Sequence, residues 1–235
     1  FEVAAFYFGS EVDAVTQSVR AKADEFRHLA GGVRDIARKV RAARLDVLIY
    51  PQLGMDGRDA TLAALRLAPV QCAAWGHPVT TGSSAIDCYF SCSDMEGADA
   101  ESHYSERLLL LPGLGTAYAR PEVRPASRQE FGLPEGLPLY VCPQSLFKIH
   151  PENDGLFGDV LSGDLRGRLV FCVEPGQPAT LFFQDRIRRS LERRGIDVAS
   201  RVIWQPLRSP PEFRAMLSVC DVMLDTLHWS GGNTS

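Results

Sequence analysis

The sequence predicts an α/β protein built from two successive series of parallel βαβ units. Two observations carry this. Short β-rich apolar runs alternate along the chain with segments whose apolar residues recur at helical spacing. Between Pro112 and Pro138 the composition changes to Gly113, Gly115, Pro121, Pro125, Gly132, Pro134 and Gly136, with little apolar periodicity outside Arg128 to Phe131, and the alternation then begins again. The boundary there divides the chain into units over 1–120 and 121–235, and the length of 235 residues lies between one and two ordinary domains.

In the first series, Val3 to Phe8 reads as a strand, and Val12, Val15, Val19, Ala23 and Phe26 recur as one helical face. A second helix follows over Val33 to Val40. The near-continuous apolar run Leu45 to Tyr50 predicts a strand buried on both faces, Ala60 to Leu67 a short helix and Val70 to Trp75 another strand. Cys88 to Cys92 and Leu108 to Leu111 supply two more. The second series reads as strand Leu139 to Cys142, helix near Leu156 to Leu161, strand Leu169 to Val173, and a helix with Phe183, Ile187 and Leu191 on one face. Strand Val202 to Trp204 follows, then a helix carrying Phe213, Met216, Leu217 and Cys220, and strand Val222 to Leu227. Arg186, Arg188, Arg189, Arg193 and Arg194 read as the solvated face of their helix.

Composition removes several classes of partner. With 25 Lys+Arg against 29 Asp+Glu, both signs interspersed and a net charge of −4, nothing marks a nucleic-acid groove or an anionic membrane surface. No apolar stretch approaches a bilayer span, and the opening residues lack a basic region and a cleavage site, so a cytoplasmic location is expected. The six cysteines form no CxxC pair, and most lie in apolar runs, which reads as reduced, buried packing. The absence of GxGxxG after a strand, of GxxxxGK[ST] and of GxSxG leaves the usual NAD site, the P-loop and the nucleophile elbow unsupported. No metal site is expected, the paired acids Asp94/Glu96 and Asp99/Glu101 standing in polar loops without further ligands. The chain opens inside a strand without an initiator Met and stops where another helix is due, so a chain truncated at both ends is expected.

Three segments at predicted strand ends could carry chemistry. Gly231, Gly232, Asn233, Thr234 and Ser235 follow the last strand: glycines let backbone N–H groups approach an anion, and a helix starting there would add unpaired amides, although a plain N-cap after a tight turn has the same composition. Lys148, in Pro143 to Pro151, stands at the carboxyl end of the first strand of the second series, where open α/β sheets face their ligands, or is an ordinary surface lysine. If it converges with Gly231 to Ser235, the two clamp a diphosphate. The loop Trp75-Gly76-His77-Pro78-Val79-Thr80-Thr81-Gly82 offers polar groups to a cleft or forms a structural turn. His150 caps or packs beside Pro151 without a catalytic role.

The runs at 46–90, HYSERLLLLPGL (103–114), PQSLFKIHP (143–151) and DVMLDTLHWSGGNTS (221–235) resemble the catalytic region of the bacterial SPINDLY/O-linked N-acetylglucosamine transferase family, the family 41 glycosyltransferases. The likeness spans nearly the whole chain in matching order. It implies a GT-B architecture of two Rossmann-like lobes with mainly parallel sheets, an acceptor and sugar side in the first and a UDP-sugar side in the second. The implied reaction is inverting transfer of a sugar, GlcNAc above all, from a UDP-sugar to a Ser/Thr hydroxyl of a protein or peptide acceptor, with no metal or other cofactor. A UDP-glucose-dependent protein N-glycosyltransferase and a non-catalytic nucleotide-sugar-binding scaffold are the alternatives.

By the same resemblance Lys148 and His77 are the catalytic residues, Lys148 contacting the donor diphosphate. Gln144 and Ser145 stand beside Lys148. Gly231, Gly232, Asn233, Thr234 and Ser235 match the phosphate-binding turn, Gly76 and Pro78 the loop facing the sugar, and Leu207, Arg208 and Phe213 the segment that holds uracil. Animal members carry tyrosine at the position of His77 and glutamine at that of Ser145, so proton transfer by the imidazole is not implied. The family's upstream His-Pro motif, its tetratricopeptide repeats and the acid that grips the ribose have no counterpart here, so the fragment alone is expected to be inactive.

Overall fold

A computed structural model describes residues 1–115, 117 and 120–231. It divides into two compact units, Phe1–Ala119 and Arg120–Ser235. In the first, strand β1 (Ala4–Tyr7) leads through helix α1 (Ala14–Lys22) to β2 (Glu25–His28), which pairs with β1 in parallel. Helix α2 (Val33–Ala42) then precedes a four-stranded parallel sheet of β3 (Val47–Tyr50), β4 (Val70–Ala74), β5 (Cys88–Cys92) and β6 (Arg107–Leu111), laid side by side in chain order, with helix α3 (Gly57–Ala64) between the first two. Tyr50, Ala73 and Tyr89 on one face of this sheet pack with Ile36, Ala37 and Val40 of α2 and Leu62 and Ala63 of α3.

Two expectations for this unit fail. Phe26 is not on a helix: α1 ends at Ala23, whose backbone is extended, and Glu25-Phe26-Arg27-His28 alternates with the period of a strand. The valines of α1 are also turned outward, Val15 being 68% and Val19 43% exposed, while Thr16 is the helix's buried residue. The run Leu45 to Tyr50 is not buried on both faces either. β3 is an edge strand, and Val47 and Ile49 on the face away from α2 and α3 stay about half exposed. An apolar run records that both faces tolerate hydrophobic residues, not that both are covered.

The second unit holds one parallel sheet in the order β10-β7-β8-β9, made of β7 (Leu139–Cys142), β8 (Arg168–Val173), β9 (Val202–Pro206) and the short β10 (Val222–Met223). Helices α4 (Asn153–Gly163), α5 (Pro178–Glu192), α6 (Val198–Arg201) and α7 (Pro210–Leu217) make the connections. Asp197 caps α6 by accepting the Ala199 N–H at 3.1 Å. One face of the sheet packs Leu169, Phe171 and Val173 against Phe157 and Leu161 of α4 and Phe183, Ile187 and Leu191 of α5. The other packs Val141, Val170 and Cys172 against Phe131, Ala215 and Met216.

Arg128 fastens the segment before β7. Its guanidinium donates to the carbonyls of Leu137 at 2.7 Å and Val219 at 3.0 Å and to the Asp221 carboxylate at 2.7 Å, and that carboxylate also takes the Leu139 N–H. Arg186 departs from the solvated face expected of α5. It lies across Asp154 at 3.0 Å and donates to the Ile149 carbonyl at 2.9 Å, so the helix is latched to the turn that follows Lys148. The predicted strand Val222 to Leu227 is cut to two residues because Asp225 draws the following chain into a loop. All six cysteines are free; Cys72, Cys92, Cys142 and Cys172 are buried, and burial pushes the Cys142 thiol up to about 11.

Phe171 is the keystone of the second core, with Phe157 and Phe183 edge-on at 5.1 and 5.2 Å and Trp204 stacked at 5.4 Å. Phe171→Ala is expected to cost about 3–5 kcal/mol of this unit's stability, since the void is walled by rigid rings that cannot collapse. Urea unfolding followed by tryptophan fluorescence measures it.

Candidate functional site

The strand order of the second unit singles out one place. Chain order runs β7, β8, β9 in one direction across the sheet, and β10 then returns to the other side of β7. The crevice outside the carboxyl ends of two strands at such a reversal is where open α/β sheets hold ligands, because the two following loops diverge there. The loop after β7 carries Gln144, Ser145 and Lys148, and the loop after β10 carries Asp225 to Gly231.

Lys148 ends a 3-10 turn over Leu146–Lys148. Its ammonium lies 5.8 Å from the ring centroid of Trp229 and 6.0 Å from that of Phe147, so aromatic faces from both loops flank the charge. Among the described residues no carboxylate pairs with it. The two loops are stitched together independently of the lysine: the buried Asn153 side chain accepts the Leu227 N–H at 2.8 Å and donates to the His150 carbonyl at 3.0 Å.

Asp225 organises the loop after β10. Its carboxylate accepts the N–H groups of Thr226 at 2.9 Å and Gly231 at 3.0 Å, the Ser230 hydroxyl and, at 3.4 Å, the Gln144 amide of the neighbouring loop. Partial burial works to raise its pKa, but these donors outweigh it and hold the carboxyl below its ordinary value. Sequence reasoning did not single out Asp225, although an acid at a strand end followed by Thr, Ser and Gly is the signature of an Asx turn. Gln144 is buried and joined to this network, Ser145 is exposed, and Gly231 is half-buried. Gly232, Asn233, Thr234 and Ser235 lie outside the described residues.

Leu207 and Arg208 follow β9 on the same carboxyl edge of the sheet. Leu207 is exposed, whereas Arg208 donates to Gln205 at 3.1 Å with its guanidinium 5.0 Å from the Phe131 ring centroid. Phe213, at the start of α7, is half-buried against the Phe131 and Met216 core.

In the first unit the loop after β4 is locked from three sides. Gly76 sits so close to the turn before α3 that a Cβ there would lie 2.4 Å from the Pro51 carbonyl. Gly54, at φ +108°, could not accept a side chain either: its Cβ would come within 2.3 Å of the His77 ring. The turn carrying Gly54 and the loop carrying Gly76 and His77 are thus one packed feature. The His77 carbonyl accepts the Tyr89 hydroxyl at 2.7 Å, and Pro78 is exposed beyond it. Pro78 and Thr80, with Trp75, Tyr89, Glu96 and Tyr104, line a cavity of about 300 Å³. Glu96 there accepts hydroxyls from Ser91 at 2.5 Å and Tyr104 at 2.6 Å.

The third lock is Glu106, also missed from sequence although it lies in the HYSERL run. Its buried carboxylate accepts the Thr81 N–H at 2.8 Å, the Thr80 hydroxyl at 2.7 Å and the Thr81 hydroxyl. Burial raises its pKa, and the Thr81 and Thr80 hydroxyls more than reverse that, leaving the carboxyl below its ordinary value. Its contribution to stability is therefore complete above the usual glutamate pKa of about 4.3 and is lost as pH falls further, through the native value. Glu106→Ala is expected to cost about 1–3 kcal/mol by orphaning the threonine donors. Thermal unfolding between neutral and acid pH should show the wild type converging on Glu106→Gln at low pH, and parallel curves would refute the assignment.

No protein-family model matches the chain. Among curated proteins it is similar to two from Arabidopsis thaliana named as probable UDP-N-acetylglucosamine–peptide N-acetylglucosaminyltransferases: SEC, 24% identical over 81% of this chain, and SPINDLY, 27% identical over 86%. It is also similar to a UDP-glucose:protein N-β-glucosyltransferase of Actinobacillus pleuropneumoniae, 32% identical over 46% of this chain and 18% of that protein. A solved mutant O-GlcNAc transferase of Thermobaculum terrenum matches the whole chain at 26% identity and a TM-score of 0.82, over 44% of its own length. The chain spans about a fifth, 22%, of the length of SEC and of SPINDLY. It is a homologue of the SEC and SPINDLY transferases, and its two units are Rossmann-like units of the GT-B type.

Proposed function

We propose that this homologue of SEC and SPINDLY contributes the donor-binding machinery of a transferase that moves a sugar, N-acetylglucosamine by kinship, from a UDP-sugar to a hydroxyl of a protein side chain. One observation supports it above the others: Lys148 and the Asp225-ordered loop meet at the strand-order reversal, on the edge of the sheet that also carries Leu207 and Arg208. A diphosphate placed there meets an ammonium from one loop and lies beside the Asp225-ordered loop on the other.

In this reading the acceptor oxygen attacks the anomeric carbon from the face opposite the diphosphate. The bond to the diphosphate oxygen breaks with inversion, and the acceptor proton is released to a base or to water. Negative charge grows on the departing UDP. Lys148 and the backbone amides near Gly232 to Thr234 stabilise that charge more in the transition state than in the bound donor, which is what lowers the barrier, and no metal is needed for it. Gln144 braces the loop after β10 through Asp225, and Leu207, Arg208 and Phe213 are the uracil side; Gly76, His77 and Pro78 are the first unit's sugar-side residues in this reading.

Lys148→Ala in the intact protein should lower kcat about 10²–10³-fold, the range for removing one donor to developing negative charge, while leaving the unfolding midpoint near the wild-type value. Unchanged turnover would remove Lys148 from the mechanism. The relative at 32% identity favours a second reading, UDP-glucose as donor and an asparagine amide as acceptor. Donor hydrolysis with UDP-N-acetylglucosamine and UDP-glucose in parallel separates the two.

A further inference from the structure

We propose that His150, Glu152 and His228 form a binding site for a borderline divalent cation, Zn²⁺ foremost, which clips the loop after β10 to the turn before α4. One imidazole nitrogen from each histidine and a carboxylate oxygen of Glu152 all lie within 4.8 Å of one another. Two neutral imidazoles and one carboxylate are a donor set suited to Zn²⁺, and for bonds of about 2.0–2.2 Å the hydrogen-bonded His228 and Glu152 atoms part to admit the ion while His150, 4.0 Å from the carboxylate, closes on it. The three side chains are exposed, so an ion enters from solvent and water completes its coordination.

The geometry is supported from beneath. Asn153, fully buried, joins the Leu227 N–H to the His150 carbonyl and so fixes the backbone on both sides of the cluster. His228 adopts a left-handed backbone, φ +69°, unusual for a residue with a side chain, and its ring packs edge-on to His150 at 5.0 Å and reaches the Glu152 carboxylate. The Glu152 N–H donates to Nδ1 of His150 at 3.3 Å, so that nitrogen carries a lone pair and not a proton, and an ion bound there takes the lone pair in place of this long contact. His228 and Glu152 are 76 positions apart, so no sequence spacing signals the set. The cation site borders the loop invoked above but rests on its own cluster of ligand atoms, and stands whether or not the transfer reading holds.

Calorimetric titration of the chain with Zn²⁺ tests it, with Co²⁺ absorption reporting the ligand type. One ion per chain should bind, with a Co²⁺ spectrum free of thiolate charge-transfer bands, and amide exchange at Leu227 to Gly231 should slow. His228→Ala and His150→Ala should each weaken Zn²⁺ binding by at least about 10–100-fold, the loss usual for disturbing even an outer-shell partner of a metal. Glu152→Gln, which keeps a hydrogen-bonding group beside His228 but removes the anionic ligand, should weaken binding as well, while His103→Ala should not. Metal-free unfolding midpoints establish that the variants are folded. No binding by the wild type, equal binding by His228→Ala, or a thiolate spectrum overturns the proposal.

Discussion

The arrangement of the second unit follows from the crossing of the chain back over β7. Three parallel strands laid in chain order leave every following loop beside the next helix, with no opening at the sheet's carboxyl edge. Returning β10 to the far side of β7 separates the connections and exposes two loops side by side. That crossing is held by polar as well as apolar contacts. Asp221, at the entrance to β10, accepts from both Arg128 and the Leu139 amide and so ties the new edge strand to the start of β7. With only two residues of β10 in the sheet, backbone pairing alone is a weak anchor, and the buried end of Arg128 supplies what the ladder lacks.

Each candidate loop is ordered by one carboxylate that collects hydroxyl and amide donors. Asp225 gathers the loop after β10, and Glu106 gathers the loop after β4. The chemistry is the same in both: a partly desolvated carboxylate is unfavourable unless its lone pairs are filled, so the donors must stay in place, and the loop has few alternatives to the observed path. This explains why both groups titrate below their ordinary values although burial pulls the other way.

Strand and helix positions were legible because this fold writes them in apolar runs and helical spacing. β5, for example, spans Cys88–Cys92 as the run predicts, and β7 spans Leu139–Cys142. Misreadings arose where one pattern served two geometries. Phe26 keeps helical distance from Val19 but alternates with Glu25 and Arg27 as a strand, and Val47 and Ile49 match a buried strand but lie on an edge. Of the candidate site, Lys148 and the glycine-bearing loops could be named because glycine and a cation at a strand end have few local explanations. Asp225, Glu106 and the pairing of His150 with His228 could not. Their significance depends on which loop arrives opposite them, a property of topology that neighbouring residues do not encode.

The setting of Lys148 shows why such ordering matters for handling negative charge. A free lysine side chain carries about 2 kcal/mol of rotamer entropy, most of which is lost when its ammonium is fixed on an anion. Here the Trp229 ring lies 5.8 Å from the ammonium, and Asn153 holds the loop bearing Trp229 against the turn that follows Lys148. Part of the ordering is therefore complete before any anion arrives. A preorganised cation stabilises developing charge without moving when that charge appears, whereas a mobile one must be gathered in at the same instant. Trp229 and the buried asparagine, neither of which carries charge, thus bear on where the lysine's ammonium sits at the strand-order reversal.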